Sequence, residues 1–461
     1  MTEATDAFDA ATLGVTDGAL KGFPPAAFHV DAGDFLASAP LLSSFTTPLV
    51  TVDRAAVTDN VETMRRWCAA AGVGIAPHGK TTMNRALWQR QLDAGAWGIT
   101  VATPWQLSVA LDWGIQRIML ANALVQPEYL RLVARALASG DTEIVVWADS
   151  IRAVEIMTEV LGDGIETRPL HVLVELGAPG GRTGARTHDA ALDIARAIEA
   201  SPSLALAGVA GYEGALAHHG DDASLQVVRD YLVALGALDD ALRASSAYDE
   251  RVSTIIVTAG GSAYFDVVAE VLAPRRDLDG VRGRPTDVLL RSGAYITHDD
   301  GFYRGITPLG RELGAALGGG SLGAAGAGDV GPDADVPVSN DFRSAIHGWA
   351  TVVSRPEAGL ALVDGGKRDF PFDEGLPEVQ GVRRYGAETV EPFTGATATA
   401  MNDQHTFVSI PADSELQVGD VLRLGLSHPC TTFDKWRALI VIDDVRLDRP
   451  SAVDVLTTTF G

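Results

Sequence analysis

Short apolar runs alternate with longer stretches of helical spacing from about residue 50 to residue 300. After the apolar segment LVTV at 49–52, eight runs have the length and composition of buried strands. They are VGIAPH, GITVAT, RIMLANA, EIVVWAD, LHVLVELG, LAGVAGYEG, STIIVTAGG and DVLLRSGAY. Most are separated by ten or more residues of helical spacing, such as PEYLRLVARALASG. Strands that alternate with helices pair in parallel, so the pattern predicts a parallel sheet of eight strands.

The polar residues at the strand ends favour a closed sheet. Eight units fit an α/β fold of the (β/α)8 barrel type over residues 46–305, although a doubly wound open sheet gives the same alternation. Strand one ends in HGKT at 78–81, strand five runs into ELGAPGGRTG with Arg182, and strand six ends in Tyr212. Strands seven and eight end in TAGGS and RSGAY. In a barrel all these carboxyl ends meet on one face, which predicts an active site there.

The pattern changes beyond the last of these strands. Residues 306–340 include the Gly- and Ala-rich stretch 313–337, which has no apolar periodicity and predicts a flexible loop. Between 341 and 461, strand-like runs such as SAIHGWATVVSR and DVLRLGL follow one another without long helices. This indicates a mainly β C-terminal domain. Residues 1–45 precede the alternation and form an N-terminal extension.

Composition narrows the classes of function. The 461 residues are 46% hydrophobic, which is enough for about two or three domains. The formal net charge of -24 repels nucleic-acid backbones and acidic membrane surfaces, so neither is expected as a partner. No segment resembles a signal peptide or a membrane span. Cys68 and Cys430 lie far apart and suggest no disulfide framework, so we expect a cytoplasmic protein.

Lys80 is the candidate for cofactor chemistry. A lysine is ordinarily a solvated charge, but this one follows a barrel strand on the face that carries the glycine-rich strand ends. In TAGGS, Gly260, Gly261 and Ser262 can present backbone N–H groups to a phosphate, although Gly-Gly after a strand is more often a simple turn. A lysine that forms an imine beside glycines that hold a phosphate is the arrangement for pyridoxal 5'-phosphate.

From about residue 45 onward the chain resembles the fold-type III pyridoxal phosphate enzymes, the alanine racemase-like barrels, and within them the branch of D-serine dehydratases and D-threonine aldolases. PHGKT resembles the family's cofactor-lysine motif, and ELGAPGGRTG resembles the segment whose arginine lies beside the cofactor's phenolic oxygen. GYEG resembles the segment with a tyrosine near the cofactor ring, and LRSGAY resembles the last barrel strand. The resemblance implies Lys80 and Tyr212 as catalytic residues. The cofactor-binding residues that it implies are Lys80, His78, Arg182, Tyr212, Gly260, Gly261, Ser262, Arg291, Gly293 and Tyr295.

A second constellation, LGLSHPCTTFDKW, places His428 and Cys430 two residues apart after an apolar strand. A lone His-Pro-Cys is also an ordinary turn with a buried thiol. Imidazole and thiolate are borderline and soft donors that select zinc, and the spacing lets both reach one ion from an extended segment. The resemblance supports this metal site, because the dehydratases have His-x-Cys as zinc ligands here and the aldolases have His-x-Asp.

The resemblance implies a pyridoxal phosphate- and zinc-dependent lyase. Its reaction would convert D-serine, or a related β-hydroxy D-amino acid, to a 2-oxoacid and ammonia, with Lys80 as the base at Cα and zinc assisting departure of the hydroxyl. Retro-aldol cleavage of the D-threonine aldolase type, dehydration of D-threo-3-hydroxyaspartate and non-catalytic cofactor binding remain alternatives. Barrels of this family complete their sites with a partner's carboxyl domain, so a homodimer is expected.

Overall fold

The computed structural model describes residues 8–162, 168–277, 283–317 and 341–460. The helices are α1 Ala10–Leu13, α2 Ala32–Leu36, α3 Arg54–Ala71, α4 Arg85–Asp93, α5 Pro104–Asp112, α6 Pro127–Ser139, α7 Ile151–Leu161, α8 His188–Glu199, α9 Asp222–Ala244, α10 Phe265–Leu272, α11 Phe302–Ile306, α12 Glu312–Leu317 and α13 Pro429–Phe433. Among these helices, none combines the length and the apolarity needed to cross a lipid bilayer.

The strands fall into two sheets. Those of the first sheet are β2 Gly74–Ile75, β3 Ile99–Val101, β4 Arg117–Ala123, β5 Glu143–Ala148, β6 Leu170–Leu176, β7 Leu204–Gly211, β8 Ile255–Thr258 and β9 Thr286–Leu290. Those of the second sheet are β1 Leu49–Asp53, β10 Ile346–Glu357, β11 Leu360–Val363, β12 Glu378–Arg383, β13 Val390–Pro392, β14 Thr397–Met401, β15 Thr406–Ser409, β16 Val421–Gly425, β17 Ala438–Ile442 and β18 Ala452–Thr457.

The first sheet closes into a parallel barrel. Its strands follow the order β2-β9-β8-β7-β6-β5-β4-β3, and its two ends meet where Thr100 of β3 forms a parallel bridge with His78 beyond β2. The amide of Trp97 also donates to the carbonyl of Ile75 at 2.8 Å. These contacts exclude the open, doubly wound alternative. The predicted (β/α)8 fold class and its eight strands are confirmed.

Polar residues that follow the strands begin the outer helices. The side chain of Ser150 accepts from the amide of Ala153 at the start of α7, and Thr187 does the same for Ala190 in α8. These N-caps satisfy donors that the first helical turn leaves open. Behind the cap of α7, Val154, Met157 and Leu161 recur at helical spacing and are buried against the barrel.

The second sheet is mainly antiparallel and includes a strand from the N-terminal part of the chain. Its main path is β13-β12-β16-β10-β1-β17-β18, with β11, β15 and β14 continuing from β10. β1 lies between β10 and β17, and every residue of β1 is buried. The indole N–H of Trp349 donates to the hydroxyl of Thr51 at 2.9 Å across this pairing. The barrel was predicted to begin at residue 46, whereas residues 49–53 form a strand of the C-terminal sheet.

The N-terminal extension packs on the same sheet. Leu36 and Phe45 join Trp349 and Ile440 in one apolar cluster that is separate from the barrel core. The ammonium group of Lys21 fastens the extension to the sheet domain through an ion pair of 3.0 Å with Asp369. The extension is therefore part of the second domain's core.

The predicted flexible loop is helical at its start. Residues 302–306 form α11 and residues 312–317 form α12, and the amide oxygen of Gly314 in α12 accepts from the indole of the buried Trp67 at 2.9 Å. Residues 318–340, which make up the rest of the predicted loop, lie outside the described residues.

Candidate active site

A narrow cavity opens at the carboxyl ends of the barrel strands, where the sequence predicted the site. Its volume is about 40 Å³, and it runs from the buried Arg291 to the exposed Arg182. The lining residues are His78, Lys80, Ala121, Trp147, Arg182, Tyr212, Gly260, Gly261 and Arg291. A larger cavity, of about 390 Å³, lies at the opposite face, where Arg117 and Glu143 begin β4 and β5. None of the predicted site residues lines that larger cavity.

Lys80 lies on the short 3-10 turn Gly79–Thr81 directly beyond β2. The turn is fixed by the buried Trp88, whose indole donates to the Gly79 carbonyl at 3.1 Å, and a Cβ on Gly79 would overlap that indole. Burial lowers the pKa of Lys80, and the positive charges of Arg182 and Arg291 lower it further, against an opposing effect of Cys430. The neutral amine is therefore populated at a lower pH than in an ordinary lysine.

Two arginines lie against aromatic rings on the walls of the cavity. The guanidinium of Arg182 lies over the Tyr212 ring at 4.6 Å, and that of Arg291 lies over the Trp147 ring at 4.7 Å. Arg291 donates to the Thr258 hydroxyl at 2.7 Å and to the backbone carbonyl of the last residue of β7 at 2.6 Å. Two of its nitrogens are thus committed to the barrel wall, while its charge remains below the cavity.

The carboxylate of Glu213 occupies the glycine turn that was predicted from the sequence to bind a phosphate. This carboxylate is fully buried and accepts from the amide of Gly260 at 2.9 Å and from the amide of Gly261 at 2.7 Å. Gly260 has a φ of 99°, a left-handed conformation that suits glycine. The turn is an anion-binding nest, as the sequence suggested, but in the structure the anion belongs to the chain.

Three other predicted cofactor residues brace the strand ends and do not line the cavity. The Ser262 hydroxyl accepts from the amide of Ala294 at 3.2 Å, and Gly293 packs so closely on the His78 carbonyl that a Cβ would overlap it. The phenol of Tyr295 is only 4% exposed and accepts from the side-chain amide of Gln91 at 3.0 Å. Tyr295 therefore faces α4 and does not line the cavity.

The chemistry of the cavity lining suits an anionic, polar cofactor. Nδ1 of His78 and Nε1 of Trp147 are buried and have no hydrogen-bond partner among the described residues. Burial lowers the pKa of His78, and Lys80 lowers it further, so the imidazole is neutral. Unpartnered buried polar atoms are costly, and a polar ligand in the cavity would satisfy them. Two arginines supply the positive charge, and Lys80 supplies the reactive amine.

The C-terminal domain brings His428 and Cys430 to the Lys80 turn. Cys430 lies in the first turn of α13 with His428 as its N-cap, so the pair spans a helix start and not the extended segment expected from the sequence. The Cys430 thiol donates to the Thr81 hydroxyl at 3.3 Å. The two candidate metal ligands therefore lie beside the residue that follows Lys80.

His428 and Cys430 each favour the charged form of the other. Burial alone would raise the pKa of Cys430, but hydrogen bonding to His428 and Thr81 lowers it overall. Burial opposes charge on His428 as well, yet hydrogen bonds with Cys430 and Asp373 raise its pKa to about 9. No group of three or more His, Cys, Asp or Glu side chains in the described residues is arranged to hold a metal ion. His428 and Cys430 supply two donors of the types that zinc prefers, one fewer than the three protein ligands of a usual catalytic zinc site.

Comparisons with known proteins agree with this architecture. Residues 345–442 match the family described as "Putative serine dehydratase domain". The chain is 25% identical to the 3-hydroxy-D-aspartate aldolase of Paracoccus denitrificans (strain Pd 1222) over 400 residues, which covers 86% of this chain and 88% of the aldolase.

Solved structures match over almost the whole length. The D-threonine aldolase from Filomicrobium marinum superposes with a TM-score of 0.68 and 23% identity, covering 91% of this chain and 96% of that one. The D-threo-3-hydroxyaspartate dehydratase from Delftia sp. HT23 gives a TM-score of 0.65 and 19% identity, covering 92% of this chain and all of that one (100%). The chain has the alanine racemase-like fold of the fold-type III enzymes.

Several residues of the candidate site were not predicted from the sequence. Trp147 and Glu213 contribute a buried ring and a buried carboxylate, while Thr81 and Asp373 contact the two candidate metal ligands. Glu213 had a signal, because it stands next to Tyr212 in GYEG. Asp373 had none that spacing reveals, since 55 residues separate it from His428.

Proposed function

We propose that the chain is a pyridoxal phosphate- and zinc-dependent lyase that converts D-serine, or a related β-hydroxy D-amino acid, to a 2-oxoacid and ammonia. The observation that carries the proposal is the contact between Cys430 and Thr81, which sets a soft donor pair from one domain beside the reactive amine of the other. The names of the relatives, aldolases and dehydratases, describe lyases and support the reaction class.

The cofactor would be held by the cavity residues, with Lys80 as its covalent partner and Arg182, Tyr212 and His78 around it. Pyridoxal phosphate, when bound, supplies an electron sink for the pair of electrons left at Cα. The chain's own contribution is the base: Nζ of Lys80, with its lowered pKa, takes the Cα proton. Arg291 stays anchored under the cavity and balances negative charge there.

His428 and Cys430 would hold the zinc ion, which supplies a Lewis acid for the β-hydroxyl oxygen. Because the two residues lie beside the Lys80 turn, a substrate whose Cα faces Lys80 can direct its β-oxygen toward them. For D-serine, loss of water and hydrolysis of the resulting enamine give pyruvate and ammonia.

Retro-aldol cleavage is the second candidate, because the curated relatives are named 3-hydroxy-D-aspartate aldolases. Single-turnover product analysis with D-serine and with D-threo-3-hydroxyaspartate separates the two reactions. Dehydration of 3-hydroxyaspartate gives oxaloacetate and ammonia, whereas cleavage gives glycine and glyoxylate. We expect 2-oxoacid and ammonia from both substrates. Glycine and glyoxylate as the only products would replace the dehydratase assignment with the aldolase.

A homodimer is part of the proposal. Trp105, Val125 and Ile151 are 39%, 41% and 46% exposed and follow β3, β4 and β5 on the rim of the active-site face. Exposed apolar side chains that share a rim suit a protein interface. Light scattering at assay concentration is expected to give the mass of two chains, and a fully active monomer would contradict the dimer.

A further inference from the structure

Asp373 contacts the candidate zinc ligand His428 through the ring nitrogen Nδ1. Its Oδ2 lies 2.7 Å from Nδ1 of His428, and its Oδ1 accepts from the hydroxyl of Thr431 at 2.7 Å. Both oxygens of the carboxylate are therefore engaged by the same short segment, His428 to Thr431. With Nδ1 committed to Asp373, only Nε2 of the imidazole is left to bind an ion.

The loop that carries Asp373 is itself fastened on both sides. It connects β11 to β12, and the Ser427 hydroxyl donates to the Gly375 carbonyl at 2.9 Å just after Asp373. Before Asp373, the indole of Trp436 donates to the Asp369 carbonyl at 2.8 Å, and this indole is buried. Asp373 itself is exposed, with 41% of its side chain accessible, but these two contacts hold the backbone on either side of it.

We propose that Asp373 is the positioning residue for His428: it keeps the Nδ1–H of the ring directed at its carboxylate, so that Nε2 points its lone pair at the zinc ion. This inference rests on the proposed zinc site and assigns it a second layer of contacts. Histidines that bind metals usually donate their other ring N–H to a carboxylate or a carbonyl, which fixes the ring and raises its basicity. Thr431 completes the arrangement by holding the other carboxylate oxygen.

Zinc affinity tests this assignment without reference to turnover. Asp373→Ala is expected to weaken zinc binding by about 10- to 100-fold, measured by competition with a chromophoric chelator. Asp373→Asn, which keeps one oxygen acceptor, is expected to lose less, and Thr431→Val less again. The visible absorption of the cobalt-substituted protein is a second readout, because a reoriented imidazole changes the ligand field. We expect a shifted cobalt spectrum for Asp373→Ala.

Asp434→Asn is the matched control. Asp434 is a partly exposed carboxylate near both Asp373 and His428, and it forms an ion pair with Lys435 at 4.0 Å. Its removal takes away the same charge without a hydrogen bond to the imidazole, so zinc affinity is expected to stay within about threefold. Thermal unfolding of each variant checks that the fold persists, and Thr431→Val carries the test should Asp373→Ala fail to fold.

Three results bear on the inference in different ways. In one result, the wild-type chain binds one zinc ion, His428→Ala loses it, and Asp373→Ala binds it with unchanged affinity. This result would overturn the positioning role and leave the proposed function standing. An equal loss in Asp373→Ala and Asp434→Asn would reduce the effect to local charge and would also overturn it. A wild-type chain that binds no zinc would overturn both the inference and the zinc-dependent function.

Discussion

Replacement of Glu213 tests how the glycine turn at the active site is stabilised. The carboxylate is fully buried and accepts two backbone hydrogen bonds, from Gly260 and Gly261. A hydrogen bond to a charged group contributes about 1.5–3 kcal/mol, so Glu213→Ala is expected to lower the free energy of unfolding by about 3–6 kcal/mol. Glu213→Gln keeps one acceptor oxygen but sets an amide N–H₂ against the other donor, and about half that loss is expected.

Urea unfolding followed by circular dichroism measures this loss, and hydrogen exchange of a peptide spanning 255–265 locates it. We expect the amides of both Gly260 and Gly261 to lose protection in Glu213→Ala, and only one of the two in Glu213→Gln. Glu128→Ala is the control, because this glutamate is 85% exposed and pairs only with a neighbouring arginine, so its replacement is expected to cost under about 0.5 kcal/mol. An alanine variant of Glu213 within about 1 kcal/mol of wild type would refute the reasoning. Stabilisation of Glu213→Gln by inorganic phosphate would show that the nest is a phosphate site which the carboxylate merely fills.

Three further predictions concern the lysine and the metal. Lys80→Ala is expected to abolish the imine absorbance near ~420 nm of the cofactor-loaded protein, and residual colour that borohydride fixes to the chain would identify another lysine. Because burial lowers the pKa of Lys80, its ¹³C-methylated amine is expected to titrate in NMR below 10.5. The chain has only four lysines, so their signals can be resolved. A titration midpoint at or above 10.5 would contradict the effect of burial. Cys430→Asp is expected to shift metal preference from zinc toward manganese or magnesium, which metal titration of the apoprotein measures, and an unchanged preference would remove the thiol from the ligand set.

The barrel was predictable because its signals are local. Each strand is a short apolar run between helical stretches. Lys80 and Arg182 follow such runs, so they lie at the ends of strands whatever the order of the strands in the sheet. Parallel topology then brings those ends together without further information. The fold class and the location of the candidate site therefore followed from periodicity together with the polar residues at the strand ends.

The contacts that the sequence concealed depend on distant pairing or on side-chain direction. Asp373 reaches His428 only because a loop between two strands folds back by hydrogen bonds that no spacing encodes. Tyr295 follows a barrel strand as expected, and its phenol lies against Gln91 of α4, a direction that the sequence pattern does not encode. The glycine turn was recognised as an anion nest, but its anion came from Glu213, the neighbour of a residue already singled out.

The position of β1 determines the order in which the chain can assemble during synthesis. β1 leaves the ribosome early, but both of its neighbours in the sheet, β10 and β17, lie near the other end of the chain. About 290 residues separate β1 from β10, which corresponds to roughly 15–60 s of translation. Throughout that interval β1, whose Leu49, Val50 and Val52 are apolar and buried in the fold, lacks both neighbours while the barrel strands are being completed. We therefore expect the nascent chain to expose an apolar segment that binds chaperones. In a circular permutant that moves residues 8–53 to the carboxyl end, β1 would be synthesised close in time to its neighbours in the sheet.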